Sequence, residues 1–197
     1  MIKNSAFLVD GRTEFYSFNK KFLSEFKSAP NVFMVKCNGV TVLGKAYANK
    51  ATPIILSCLN STFRKIICVI DREGRKEDAQ PLSNIFKKEI ISSVKLSDKT
   101  FSDQELNKKI RVCFADRMFE NWILADIVGI KKAKTLVKQS AVQENFEGTI
   151  GSKKLNGLMT CDYKKTAHAD ELFNLVRFNI AKKNSLSLDL FLDLIYH

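Results

Sequence analysis

An apolar run at residues 66–70 (IICVI) places the strongest constraint on the fold, because it stops on Asp71 and a glycine follows closely. Runs of this kind are typical of parallel strands that helices cover on both faces. A similar run at residues 6–9 (AFLV) stops on Asp10 and Gly11. The carboxyl ends of parallel strands meet at one edge of a sheet, where α/β proteins bind their ligands. The sequence therefore predicts a functional edge that carries both aspartates.

Strand-like and helix-like periods alternate through the first two thirds of the chain. This alternation predicts an α/β fold with a mostly parallel sheet that has helices on both faces. Strands are expected at residues 5–10, 32–37, 65–70 and 110–115. Helices are expected at residues 13–27, 45–59, 80–94 and 120–126.

The last third of the chain has a different pattern. It is basic and weakly periodic up to residue 160, and helices are then expected at 167–181 and 187–196. We therefore predict an α/β domain at residues 1–130 and a basic helical extension at 131–197 that packs on it. A chain of 197 residues is also short enough to form a single domain.

The formal net charge is +11 at pH 7, which favours a polyanionic partner such as nucleic acid, either DNA or RNA. A solubilising surface is the simpler alternative. Acidic side chains clustered at one sheet edge repel each other, and a hard cation such as Mg²⁺ or Mn²⁺ relieves that repulsion. An acidic pocket in a basic chain therefore predicts a metal site that faces a phosphate backbone.

Three acids are the candidate metal ligands and catalytic groups: Asp10, Asp71 and Glu73. Glu73 lies two residues beyond Asp71, so an extended chain would direct both side chains the same way. A turn or surface role is the alternative for each of the three. Glu14 is a further catalytic candidate, although an acid at a helix start also favours the helix dipole.

Other candidates lie later in the chain. Asp116 is expected at the same sheet edge, behind the metal ligands, with capping of the following helix as the alternative. Glu120 is expected behind the metal ligands or as a ligand itself, with a helix-start acid as the alternative. Lys164, a catalytic candidate, and its neighbour Lys165 are suited to contact a phosphate or stabilise a leaving oxygen, unless they form a solvated charge pair. Trp122 is expected in the core rather than as a platform for bases.

The sequence lacks the motifs that are typical of several other classes of protein. His168 and His197 are far apart, so a Ser-His or Cys-His catalytic device has no support. The chain contains neither GxxxxGK(S/T) nor GxGxxG, the phosphate-binding motifs of ATPases and dinucleotide enzymes. Its five widely spaced cysteines predict reduced thiols, no zinc and a cytoplasmic location. No apolar run approaches the ~20 residues of a membrane span, so no membrane is expected as a partner.

Four segments, taken in order, resemble TOPRIM-domain proteins of the RloB-like and OLD-nuclease-like groups. Residues 7–14 (FLVDGRTE) resemble the VEG-x-TE opening of those domains, and residues 69–74 (VIDREG) resemble their strand-terminal DxD motif. Residues 115–126 (ADRMFENWILAD) resemble the FE-x-W segment of RloB-like proteins. Residues 161–165 (CDYKK), followed by a helix and a Ser-rich closing helix, resemble the end of the same group.

The resemblance implies a sheet on which one glutamate and two aspartates hold Mg²⁺ for phosphodiester chemistry. In this chain Asp10 stands at the glutamate position, and Asp71 and Glu73 stand at the two aspartate positions. The exchanged acids keep their charge but change their reach. The resemblance also implies an effector of anti-phage defence that works beside an ATPase and acts on DNA or RNA, including tRNA.

We therefore predict a Mg²⁺-dependent TOPRIM-like nuclease that acts as a defence effector with an ATPase partner. The alternative is a catalytically inactive TOPRIM-like module that binds an ATPase or nucleic acid. A strand-passage or primase component is less well supported, because no tyrosine-bearing or polymerase-like companion domain is identifiable. A homodimer is left open.

Overall fold

A computed structural model describes residues 4–28, 30–37 and 43–196 of the chain. Four strands form one sheet in the order β2-β1-β3-β4, and every neighbouring pair is parallel. The strands are β1 Ser5–Val9, β2 Asn31–Met34, β3 Lys65–Asp71 and β4 Ile110–Ala115. The predicted parallel sheet is confirmed, although β2 ends three residues before its expected end.

Ten helices lie within the described part of the chain. Each helix expected from the sequence is present, with ends shifted by a few residues, except that the one predicted at 167–181 is broken. None of the described helices is long and apolar enough to cross a membrane. The helices are α1 Arg12–Phe26, α2 Gly44–Leu59, α3 Ala79–Ser97, α4 Asp103–Lys109, α5 Phe119–Leu124, α6 Ile127–Ile130, α7 Gly151–Leu158, α8 Lys165–Leu175, α9 Phe178–Ala181 and α10 Leu186–Tyr196.

Helices cover both faces of the sheet, as predicted, and each face has its own apolar cluster. Successive strand residues point to opposite faces, so Phe7 enters one cluster while Leu8 enters the other. The first cluster joins the sheet to α1, α5, α8 and α10. The second joins it to α2 and α3. Helices from the last third of the chain thus share a core with the strands of the first 130 residues.

Aromatic side chains fill the first cluster around Trp122, which is fully buried. The centroid of the Trp122 ring lies 4.9 Å from that of Phe191 on α10, in a stacked arrangement. Its indole Nε1 donates a hydrogen bond of 2.8 Å to Ser187 Oγ, so the polar edge of the ring is also satisfied. The prediction that Trp122 belongs to the core is confirmed.

A buried ion pair explains why the predicted helix at 167–181 is broken. The side chain of Asp126 is 1% exposed and accepts hydrogen bonds from Arg177 Nε, Arg177 Nη2 and the Arg177 backbone N–H. Gly129 donates a further backbone N–H to it. Burial would raise the pKa of Asp126, but these hydrogen bonds outweigh burial and lower it. The Arg177 N–H therefore leaves the helical pattern to bind Asp126, which separates α8 from α9.

Replacement of this carboxylate, Asp126→Asn, should lower the free energy of unfolding by about 2–4 kcal/mol. An amide cannot accept from all four donors, and the partly buried guanidinium loses its counter-charge. Urea unfolding followed by circular dichroism measures the change. Asp103→Asn is the matched control, because Asp103 pairs with Lys95 on the surface and its loss should cost about 0.5 kcal/mol. Equal costs for the two variants would contradict this role of Asp126.

Candidate functional site

The carboxyl ends of β1 and β3 lie side by side, and each end presents an aspartate. Val9 pairs with Val69, so Asp10 follows the end of β1 beside the last residues of β3. The backbone N–H of Asp71 donates to Asp10 Oδ2 at 3.3 Å. The structure thus places Asp10 and Asp71 next to each other at the sheet edge where the sequence predicted them.

Glu14 joins these aspartates from the first turn of α1 and is 6% exposed. Gly11 precedes the helix, and a Cβ atom built on it would lie 2.7 Å from Glu14 Oε2. A side chain at position 11 would therefore push the Glu14 carboxylate out of its place. The glycine in the segment FLVDGRTE serves this close approach.

Glu120 reaches the same point from the start of α5 and is fully buried. Its Oε1 accepts a hydrogen bond of 3.2 Å from the Tyr163 hydroxyl. From the sequence, Glu120 was expected either behind the metal ligands or as one of them, and it lies among the clustered acids. Tyr163 was not singled out from the sequence, although it lies in the CDYKK segment that carries the resemblance.

The ammonium group of Lys165 lies at the centre of the cluster. Its Nζ is 2.8 Å from Glu14 Oε1, and two longer distances join it to Glu120 Oε1 at 3.7 Å and Asp71 Oδ2 at 3.8 Å. Three carboxylates from three separate elements thus surround one cation. The side chain is 36% exposed, so one side of the ammonium faces solvent.

Lys164, the catalytic lysine predicted from the sequence, has a different environment from that of Lys165. It precedes α8, its side chain is exposed, and its backbone N–H donates to His168 Nδ1 at 3.0 Å. Lys164 has an extended backbone, with φ −116° and ψ 110°, whereas Lys165 is the first residue of α8, so the two adjacent side chains have different surroundings. Of the two lysines, Lys165 is the one that contacts the acids.

Glu73 and Asp116 are not among the three acids that lie within 4 Å of the Lys165 ammonium. The chain leaves the extended conformation at Glu73, which has a φ of +53° and donates its backbone N–H to Arg117 O. Glu73 therefore lacks the extended conformation that would direct its side chain the same way as that of Asp71. The charge of Glu73 still helps to raise the pKa of Asp10. Asp116 pairs with Arg72 Nε at 2.6 Å.

Arg75 fixes the backbone at the end of β3. Its Nη1 donates to Asp71 O at 2.7 Å and to Arg72 O at 3.0 Å. Its guanidinium carbon lies 5.3 Å from the centre of the Phe86 ring and 5.6 Å from that of Phe114. The aromatic contacts and the two hydrogen bonds together hold the loop that presents Asp71.

Burial dominates the protonation of the site. It raises the pKa of Asp10 to about 7, against the opposing effect of the Asp71 N–H, and the charge of Glu14 adds to the rise. Burial also raises the pKa of Asp71 well above its ordinary range, although Lys165 opposes this. Burial disfavours the charged form of Lys165, but the neighbouring carboxylates outweigh it and raise its pKa. Lys165 therefore remains protonated at neutral pH.

The donor set suits a hard divalent cation in chemistry, because it consists of carboxylate oxygens. Asp10 Oδ1 and Glu120 Oε2 are buried and have no hydrogen-bond partner among the described residues. Within the same residues, no group of three or more acids, histidines or cysteines is spaced to hold a metal ion. The ammonium of Lys165 holds the central position, so a metal ion would have to share the acids with it or displace it.

Comparisons with protein-family models, with curated proteins and with solved structures return no match. The site therefore stands on its own geometry and on the resemblance of four short segments. Among the residues that complete it, Glu120 lies five residues beyond the end of β4, whereas Tyr163 is far from every strand end in sequence. The signals that point to them are the FENW and CDYKK segments.

The raised pKa of Asp10 predicts how stability changes with pH. The folded protein holds this proton with a pKa of about 7, compared with an ordinary value of 3.8. The contribution of Asp10 to the free energy of unfolding is therefore fully present below about pH 4. It is lost as the pH rises to about 7. Asp10→Asn should remove that fall, because an amide still accepts the Asp71 N–H and carries no charge. The variant should match wild type near pH 4 and exceed its free energy of unfolding by about 4 kcal/mol at about pH 8.

Urea unfolding across this pH range, in EDTA, measures the difference between the two proteins. Asp162→Asn is the control, because Asp162 is an exposed acid and its variant should keep the wild-type profile. An Asp10→Asn protein that loses stability as steeply as wild type would show that Asp10 titrates normally.

Proposed function

We propose that this protein is a Mg²⁺-dependent TOPRIM-like nuclease that cleaves phosphodiester bonds of DNA or RNA. One observation carries the proposal: Glu14, Asp71 and Glu120 converge on one cationic centre at the carboxyl edge of a parallel sheet, with Asp10 beside them. Sheets of this kind place their chemistry at that edge. The net charge of +11 supports a polyanionic substrate.

Asp71, Glu14 and Glu120 would hold the metal ion, and Asp10 is the carboxylate next to them. This set differs from the sequence-based triad of Asp10, Asp71 and Glu73, in that Glu73 gives way to acids from α1 and α5. A bound Mg²⁺ supplies a Lewis acid that stabilises negative charge on phosphoryl oxygens. Mn²⁺, which also prefers oxygen ligands, suits the same donors.

The side chains of the chain itself have separate tasks in this mechanism. Asp10 lies next to the acids that would hold the metal ion, so it is placed to accept a proton from an attacking water. Lys165 keeps its charge and faces solvent on one side, so it is placed to bind a phosphate oxygen as the substrate arrives. The Tyr163 hydroxyl fixes the orientation of Glu120 through its hydrogen bond.

A role in anti-phage defence, with an ATPase as partner, rests on the resemblance of the four segments. A cytoplasmic location is supported by the five cysteines, all of which are free thiols. The alternative is a catalytically inactive module that binds an ATPase or nucleic acid. The position of Lys165 favours it, because an ammonium that neutralises the acids lessens their need for a metal ion.

Cleavage by the purified full chain separates these two functions. Labelled single-stranded DNA, duplex DNA, RNA and tRNA should be tested with Mg²⁺, with Mn²⁺ and in EDTA. Asp71→Asn should reduce cleavage by about 100-fold or more, because it removes a central ligand while the backbone bond to Asp10 remains. Glu171→Gln, an exposed change on α8, should cleave like wild type. Intact binding of nucleic acid with no cleavage in either metal would favour the inactive module.

Metal binding provides a test that does not depend on activity. Saturating Mg²⁺ should raise the melting temperature by about 5–10 °C, because the ion binds only the folded protein. Asp71→Asn should abolish most of this rise, while Glu171→Gln should preserve it. A wild-type melting temperature that is indifferent to both Mg²⁺ and Mn²⁺ would overturn the metal-dependent mechanism.

A further inference from the structure

A groove of about 720 Å³ runs between α1 and the start of α8, beside the acidic cluster. One face of α1 forms the first wall, with Arg12 near one end and Leu23 near the other. With a rise of 1.5 Å per residue, these two positions are about 16 Å apart along the helix. Lys165, Thr166 and Asp170 form the facing wall. The groove thus extends along about three turns of α1.

The groove is continuous with the proposed catalytic site, because Lys165 belongs to both. Its ammonium contacts Glu14 and Asp71, and the same side chain lines the groove. Thr13, which also lines the groove, is the neighbour of Glu14 in the first turn of α1. A nucleic-acid strand that has one phosphate at the acidic cluster would therefore continue directly into the groove.

The charges of the groove suit a polyanion. Its lining contains three cations, Arg12, Lys20 and Lys165, against one acid, Asp170. Lys20 Nζ pairs with Asp170 Oδ2 at 3.0 Å, and the two side chains are 45% and 34% exposed. Exposed pairs of this kind contribute little energy, so a phosphate can replace Asp170 as the partner of Lys20.

Tyr16 gives the groove a surface for a nucleobase. It lies about a third of the way along the α1 wall from Arg12 and is 50% exposed, unlike the buried aromatic rings of the first apolar cluster. The guanidinium carbon of Arg12 lies 5.5 Å from its ring centre. Proteins that bind single-stranded nucleic acid combine aromatic side chains on which bases stack with cations along the backbone.

We propose that this groove binds an unpaired stretch of nucleic-acid strand next to the scissile phosphate, so that the substrate is single-stranded or locally unpaired. The inference rests on the proposed function and names its substrate class. A volume of about 720 Å³ is that of a pocket for a small ligand, which a duplex cannot enter. The bases of a duplex are also stacked inside it and cannot reach Tyr16.

Fluorescence anisotropy with labelled oligonucleotides, in EDTA so that no cleavage occurs, tests the groove. Single-stranded DNA and single-stranded RNA are two arms, and a blunt duplex of the same sequence is the third. At least one single strand should bind about tenfold more tightly than the duplex. Tyr16→Ala should weaken that binding by about tenfold, the loss expected for one stacked base, whereas Tyr16→Phe should keep it.

Tyr196→Ala is the matched control, because Tyr196 is 56% exposed on α10 and does not line the groove. Its affinity should equal that of wild type. Equal affinity for duplex and single strands, or an unchanged affinity in Tyr16→Ala, would overturn the assignment. Displacement of the strand by an acidic peptide, with no effect of Tyr16→Ala, would instead assign the groove to a protein partner. Strand binding that depends on Tyr16 but never leads to cleavage would overturn only the nuclease proposal.

Discussion

The contact of the Lys165 ammonium with three carboxylates, two of them buried and that of Asp71 half-buried, is the interaction on which this architecture depends. Glu14, Asp71 and Glu120 come from α1, β3 and α5, and the lysine begins α8. Without a cation between them, these acids would repel each other in surroundings that screen charge poorly. The lysine therefore ties four elements together at a place where apolar packing cannot. The same arrangement gathers one ammonium and three carboxylates at a single place, and one side of the ammonium faces solvent.

The main lines of the fold were predictable because they depend on local patterns. The runs that became β1, β3 and β4 are apolar on both faces, and a parallel sheet between helices is the arrangement that buries such runs. The break between α8 and α9 was not predictable, since it arises from the Asp126 carboxylate, about 50 residues earlier in the chain. Apolar periodicity contains no information about a hydrogen bond that removes one N–H from a helix.

The candidate site was predictable only in part, for a related reason. Asp10 and Asp71 were found because strand ends meet at one edge of a sheet. Glu73 was expected to align with Asp71, but the positive φ at Glu73 turns the chain away. Glu120 and Lys165 enter the cluster through the packing of α5 and α8 on the sheet. Short-range spacing cannot show which of two adjacent lysines faces inward, because that depends on how the helix is rotated against its neighbours.

The order of the site residues along the chain has a consequence for protein synthesis. Asp10, Glu14 and Asp71 are synthesised before Lys165 and before the core residue Phe191. Domains generally fold as units as their chain emerges. A nascent chain therefore carries acids that have neither their cation nor the aromatic core that supports α8. The centre around Lys165 therefore assembles only after α8 has been synthesised and has packed against α1 and α5.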